Sequence, residues 1–183
     1  AEQPLSKKSH RGFKRRKFYF AAAASIALFL TVGALLVFMS GDGKMAPEEA
    51  IAAYYEPFPA GPDSRGSNAK PYEDALSIYR KKNYQQAQPL FENYLKEEPE
   101  NLKLRLYLGS CHFESGKTQA AIAEFEKVME SDNPDYRQHG VWYMALCHLQ
   151  NGETAKAIAM LKIAGDTKNA YQKRALELVE NIE

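Results

Sequence analysis

Apolar residues recur with helical spacing through the C-terminal part of the chain. Two stretches, residues 107–128 and 143–164, superimpose at an offset of 36 residues. That offset puts Tyr107 on Tyr143, Cys111 on Cys147, His112 on His148, Gly116 on Gly152 and Thr118 on Thr154. Self-similarity at such a period marks an array of helical hairpins, each too small to bury its apolar face alone. Around these twins, apolar residues at i, i+3, i+4 and i+7 extend the helical reading in both directions. The pattern predicts helices over 72–82, 84–96, 102–115, 119–130, 135–151, 155–164 and 169–182. Pro99 closes the second of these. Asn101, Thr118 and Thr154 are expected as N-caps, because their side-chain oxygens can accept from free N–H groups of the first turn. Gly116 and Gly152 are expected as helix stops. The last helix presents Tyr171, Ala175, Leu178, Val179 and Ile182 on one face.

Nearer the N-terminus the pattern changes character. Residues 18–39 form an uncharged, largely apolar run of 22 residues. As a helix rising about 1.5 Å per residue, it has the length of a hydrocarbon core about 30 Å thick. The charge is lopsided around it. Lys7, Lys8, Arg11, Lys14, Arg15, Arg16 and Lys17 face only Glu2 within residues 1–17, a net +6; the chain totals +1, so −5 remains for the rest. By the positive-inside rule, residues 1–17 are expected as a basic cytoplasmic tail, 18–39 as a transmembrane helix, and everything beyond as non-cytoplasmic. A cleaved signal peptide needs a shorter apolar run and small residues at its exit. Val37, Phe38 and Met39 are bulky, so the run reads as an uncleaved anchor. Positive charge beside an apolar run, rather than on the helical part, also argues against a nucleic-acid partner.

Residues 40–70 read as a linker punctuated by Pro, Gly, Ser and Asp. Within it Pro47 can begin a short helix, with Glu48 and Glu49 suited to its first turn. Glu56-Pro57-Phe58-Pro59 ends that helix and is expected to run extended. Tyr54, Tyr55 and Phe58, set beside Pro57 and Pro59, are too aromatic for an inert spacer. Two roles stay open for this linker peptide. It packs against the membrane surface or the first hairpin, or it is presented to a partner.

Reactive chemistry changes this picture little. Cys111-His112 and Cys147-His148 are adjacent pairs, and neighbours on a helix point about 100° apart, so they are poorly placed to share a metal. Buried cysteine packs as a small apolar side chain. His112 and His148 are expected to be half-buried, bonded to a backbone carbonyl or water. No Ser/His/Asp set, paired carboxylates, phosphate loop or metal motif is present. No enzyme activity, cofactor, metal or small-molecule substrate is expected.

Small residues alternate with large ones where paired helices would cross. Ala75, Leu108-Gly109 and Met144-Ala145 mark the first helices; Ala87 and Phe91, Ala121 and Phe125, and Ala157 and Leu161 mark the second. Small residues let helix axes approach and large ones fill the notch. In these marks the chain resembles the tetratricopeptide repeat family over about 71–166, with Arg105 standing where Trp is common. The resemblance implies an all-α solenoid of three hairpins plus a C-terminal capping helix, covering 71–183. It also implies a concave groove lined by the first helices: Tyr72, Leu76, Tyr79 and Arg80, then Lys103, Leu106, Ser110, Phe113 and Glu114, then His139, Trp142, Leu146, Leu149 and Gln150. Aromatic residues commonly anchor protein interfaces. Part of this groove is left open to being covered by 54–59 or by the last helix.

The overall layout is similar to small bacterial inner-membrane tetratricopeptide proteins. The expectation is therefore a single-pass inner-membrane protein with its repeats in the periplasm. Its partner would be a protein, bound in the groove within a membrane or secretion-related complex. The alternative is an accessory subunit of a larger membrane assembly, held mainly by its transmembrane helix.

Overall fold

The computed structural model describes residues 43–61 and 72–183. The described residues form helices and no strand. The helices are α1 (Pro47–Tyr54), α2 (Glu73–Arg80), α3 (Tyr84–Glu97), α4 (Leu102–Glu114), α5 (Thr118–Met129), α6 (Pro134–Gln150), α7 (Thr154–Asp166) and α8 (Gln172–Ile182). Helices α2/α3, α4/α5 and α6/α7 pair as three hairpins. Each second helix also packs on the first helix of the next hairpin, and α8 closes on α7.

The three hairpin corners are built alike. Lys82, Gly116 and Gly152 each take a left-handed conformation, at φ 59°, 71° and 73°. The following N–H groups of Asn83, Lys117 and Glu153 then donate back to the carbonyls of Ile78, His112 and His148, at 3.3, 2.8 and 2.8 Å. These bonds satisfy carbonyls that the helix end leaves free. Both expected glycine stops are therefore found. The first hairpin makes the same corner with a lysine, whose Cβ makes that conformation unfavourable.

Helix starts agree with the sequence in part. Asn101 caps α4, its side chain accepting from Leu104 N–H at 3.1 Å. Asn133 does the same for α6 through Asp135 N–H at 2.9 Å, with Pro134 in the first turn. Thr118 and Thr154 are not caps. They lie inside the first turn, after Lys117 and Glu153, and the Thr118 hydroxyl donates instead to Gln150 Oε1 at 2.8 Å.

Hairpins interlock through one repeated contact. Phe91 of α3 stacks on Tyr107 of α4, with ring centroids 5.3 Å apart and planes at 21°. Phe125 of α5 stacks on Tyr143 of α6 at 5.0 Å and 18°. Phe125 also occupies the space above Gly109, where an added Cβ would lie 2.5 Å from its ring. Gly140 is a second close approach, since a Cβ there would meet the Met129 backbone nitrogen at 2.4 Å. Arg105 pairs with Glu124 at 2.8 Å and donates to the Pro99 carbonyl, tying α4 to α5 and to the preceding loop. Helices α4 and α6 lie at the centre: every residue from Leu106 to Phe113 and from Gly140 to Leu149 is buried.

The expected membrane architecture needs correction. Residues 1–17, 18–39 and 62–71 lie outside the described residues, and among the described ones no helix is long and apolar enough to cross a membrane. The longest, α6, has 17 residues, or about 25 Å at the α-helical rise, against a hydrocarbon core of about 30 Å. It also carries Asp135, Arg137 and His139. The class of transmembrane helix plus solenoid is replaced by an all-helical array. No described helix supports the single-pass inner-membrane placement with the repeats in a periplasm.

Candidate functional site

The first helices of the three hairpins expose one face away from the second helices, and residues 44–61 lie across that face. Helix α1 begins at Pro47, which needs no N–H partner at that position, and Glu49 accepts from Ala46 N–H at 3.3 Å. Its Ala50 is completely buried. Both ends of α1 are tied to α8. Met45 N–H donates to the Asn181 carbonyl at 2.6 Å, Asn181 Nδ2 donates to the Tyr54 hydroxyl at 2.9 Å, and Arg174 donates to the Tyr54 carbonyl.

After Tyr54 the chain runs extended along the groove, as the two prolines require. Tyr55 stacks on Phe113 at 4.1 Å and meets Tyr143 edge-on at 6.3 Å. Phe58 is 8% exposed and sits between Tyr107 and His139, at centroid distances of 5.3 and 5.0 Å. The groove grips the main chain at several points. Ser110 Oγ accepts from Phe58 N–H at 3.2 Å, and Tyr79 donates to the Phe58 carbonyl at 2.9 Å. Tyr143 donates to the Glu56 carbonyl at 3.0 Å, Tyr107 reaches the Pro59 carbonyl at 3.5 Å, and Arg80 Nε donates to the Gly61 carbonyl at 3.2 Å. Every hairpin contributes at least one of these contacts.

The electrostatics suit this role. Burial raises the pKa of Tyr79, Tyr107 and Tyr143 well above the ordinary phenol value, so their hydroxyls remain donors. Burial also raises Tyr55, with the nearby Glu114 carboxylate adding to the effect. Burial lowers His139, which shares a 2.7 Å hydrogen bond between its Nδ1 and the Tyr171 hydroxyl.

The expected groove residues divide into two sets. Tyr79, Phe113 and His139 touch residues 55–59 directly, with Leu76 and Leu106 buried alongside them. Arg80 reaches Gly61 and pairs with Glu73 at 2.6 Å. Tyr72 lies beside Tyr94 and Tyr107, and Lys103 is half-buried. Trp142 is not on an open face. It is 1% exposed, Tyr171 stacks on it at 4.9 Å, and the Arg174 guanidinium lies 5.0 Å over its ring. Leu146 and Leu149 are buried as well. Of the linker peptide, Tyr54, Tyr55 and Pro57 are half-buried and Pro59 is exposed.

Tyr107 and Tyr143 were the residues that sequence reasoning passed over as site residues. They are paired by the 36-residue offset, and their polar tips on a buried position were the available signal. Ser110, already expected in the groove, is fully buried and polar. The repeated cysteines are inert: both are fully buried, and burial pushes the Cys111 thiol up to about 12. His148 bonds to Glu153 Oε2 at 2.7 Å rather than to a carbonyl. His112 Nδ1 is buried without a hydrogen-bond partner. Among the described residues no cluster of His, Cys, Asp and Glu could hold a metal.

Paired helices with small residues at their crossings, an aromatic notch and a shared corner recur in the three hairpins. Residues 79–141 match the tetratricopeptide repeat family. The match begins in the first hairpin and runs into α6, so it includes the Phe91–Tyr107 contact and the Gly109 notch. No curated protein and no solved structure matches the chain. Tetratricopeptide repeats are in general a non-enzymatic, protein-interaction fold, and the described geometry is that of a helical-repeat scaffold.

Proposed function

We propose that this chain is a protein-interaction scaffold whose binding site is the groove formed by α2, α4 and α6, and whose ligand is an extended peptide. One observation carries this reading. The groove already holds an extended segment through main-chain hydrogen bonds from Tyr79, Ser110 and Tyr143 and through a ring pocket at Phe58. Main-chain bonding combined with alternate side-chain pockets is how proteins hold extended peptides. The test is photo-crosslinking in native extracts of the full chain, with the crosslinker at Glu114, an exposed groove residue beside Tyr55. Labelling of a partner from Glu114 is the expected result.

A second reading is an accessory subunit that meets its assembly through an outer surface. It is favoured by the burial of Trp142, Leu146 and Leu149 beneath the chain's own residues, and by Ile163 and Leu176, which are 52% and 49% exposed. A crosslinker at Ile163 separates the two. Labelling from Ile163 but not from Glu114 favours the second reading and defeats the first.

A further inference from the structure

The groove's occupant is part of the same chain, and it is held in two separable pieces. Helix α1 is tied to α8 by Met45, Tyr54, Arg174 and Asn181. Helix α1 also packs on α6, but the hydrogen bonds just named go to α8, whereas those of residues 56–59 go to the repeats, and that change falls where the helix ends at Tyr54. The extended piece can therefore leave the groove while α1 keeps its own bonds.

Within 55–59 the contacts are of two kinds. Each direct hydrogen bond from the groove to residues 56–59 goes to main-chain N–H or C=O, which any extended peptide presents. Selectivity rests on two ring positions three residues apart. Tyr55 stacks on Phe113, and Phe58 sits between Tyr107 and His139. Pro57 and Pro59 fix φ and donate no hydrogen bond, so an extended peptide with prolines there loses less freedom on docking. Glu56 and Pro59 are exposed and so read little.

We propose that residues 55–59 are a resident pseudo-ligand that screens the groove. A partner displaces them with an extended peptide of the same chemistry: aromatic, any residue, proline, aromatic, proline. This rests on the groove being a protein-binding site. Because the resident segment is tethered, it competes at an effective concentration on the order of millimolar. A free peptide of equal quality therefore binds the intact protein weakly.

The test measures fluorescence anisotropy of a fluorescein-labelled peptide with the sequence of residues 54–61, and of a control peptide with alanine in place of phenylalanine. Both are titrated with the full chain as wild type, as Phe58→Ala and as Pro57→Gly. Phe58→Ala weakens the resident segment and leaves the pocket intact. It is expected to bind the phenylalanine peptide at least about tenfold more tightly than wild type, as befits loss of a buried aromatic anchor. Pro57→Gly gives a smaller gain in the same direction, and the control peptide binds none of the three. Circular dichroism reports whether Phe58→Ala is folded; if it is not, Pro57→Gly decides alone, a gain supporting the proposal and no gain overturning it.

Equal affinity of all three proteins for the phenylalanine peptide, with the control peptide still rejected, overturns the pseudo-ligand and leaves the groove as a peptide site. Absence of binding to folded variants overturns both. A stable wild-type dimer with exchanged segments overturns the proposal in favour of a second copy as occupant.

Discussion

Gly109→Ala probes how packing between hairpins supports the groove. A Cβ at Gly109 would lie 2.5, 2.7 and 2.9 Å from three atoms of the Phe125 ring, where ordinary contact is 3.4–4 Å. The ring must retreat by about 1 Å, and a close-packed interior leaves little room for that. Its far side is stacked on Tyr143, whose hydroxyl holds the Glu56 carbonyl. The added methyl gains about 1 kcal/mol of helix propensity over glycine. Overpacking costs about 1–3 kcal/mol. With three ring atoms inside 3.0 Å, the cost falls in the upper half of that range, about 2–3 kcal/mol, so the net expectation is a loss of about 1–2 kcal/mol, with the groove contact at Glu56 loosened. Urea denaturation of the full chain, followed by circular dichroism, should show a lower midpoint at unchanged slope. Limited proteolysis should cut more readily between residues 54 and 61. Gly140→Ala should cost more, because its Cβ would meet the Met129 backbone nitrogen at 2.4 Å, and a backbone atom cannot rotate away. A Gly109→Ala protein as stable as wild type, or one more damaged than Gly140→Ala, would refute this account of the notch.

Four further outcomes follow from the same geometry. Lys82→Gly relieves a left-handed lysine at φ 59° and should raise stability by up to about 1 kcal/mol in the same urea assay. Tyr79→Phe combined with Ser110→Ala removes one donor to the Phe58 carbonyl and one acceptor for its N–H. The pair should weaken docking of 55–59 by about 1–3 kcal/mol, read as faster amide exchange across that segment. Deleting residues 45–60 uncovers the groove and should lower the melting temperature, and an unchanged value would refute a stabilising role. Burial depresses His139 in the folded state below the ordinary histidine value of about 6.5. The unfolded chain therefore takes up the proton first as pH falls through 6.5, and stability is lost from there downward. The urea midpoint should drop between about pH 7.5 and 5.5, and by less in His139→Phe; an equal drop in both would refute the assignment.

Much of the fold was legible because its signals are local. The alternation of Ala and Phe, the Asn101 cap and the stops at Gly116 and Gly152 each depend on residues within one or two turns, and the 36-residue offset repeats such local signals. What misled was also local. Thr118 and Thr154 have the chemistry of caps, but the corner bonds from Lys117 and Glu153 start their helices one residue earlier. Lys82 occupies a corner that looked ordinary because nothing in its own sequence announces a left-handed residue. The apolar run at 18–39 has the length and flanks of a membrane span and lies outside the described residues. The groove residues were read from the sequence as a surface of the first helices, and their state depends on contacts between residues 55–59 and hairpins up to roughly ninety positions away, a separation no pattern or periodicity encodes.

The site therefore has to be understood as one object with its core. Phe91 and Phe125 are the fillers expected between hairpins, and each lies flat against the tyrosine of the next unit. Those tyrosines, Tyr107 and Tyr143, turn their hydroxyls to the carbonyls of Pro59 and Glu56. One ring pair thus spans the distance from the joint between repeats to the peptide in the groove. Three hairpins are close to the smallest number that holds an array together, and burying Phe58 and Tyr55 adds ring contacts to the second and third and a hydrogen bond from the first. Two requirements then act on residues 55–59 in opposite directions. Stability favours a segment that never leaves, and binding favours one that leaves when a better peptide arrives. Anchoring α1 to α8 separates them, because the helix keeps its share of the burial while the extended five residues exchange.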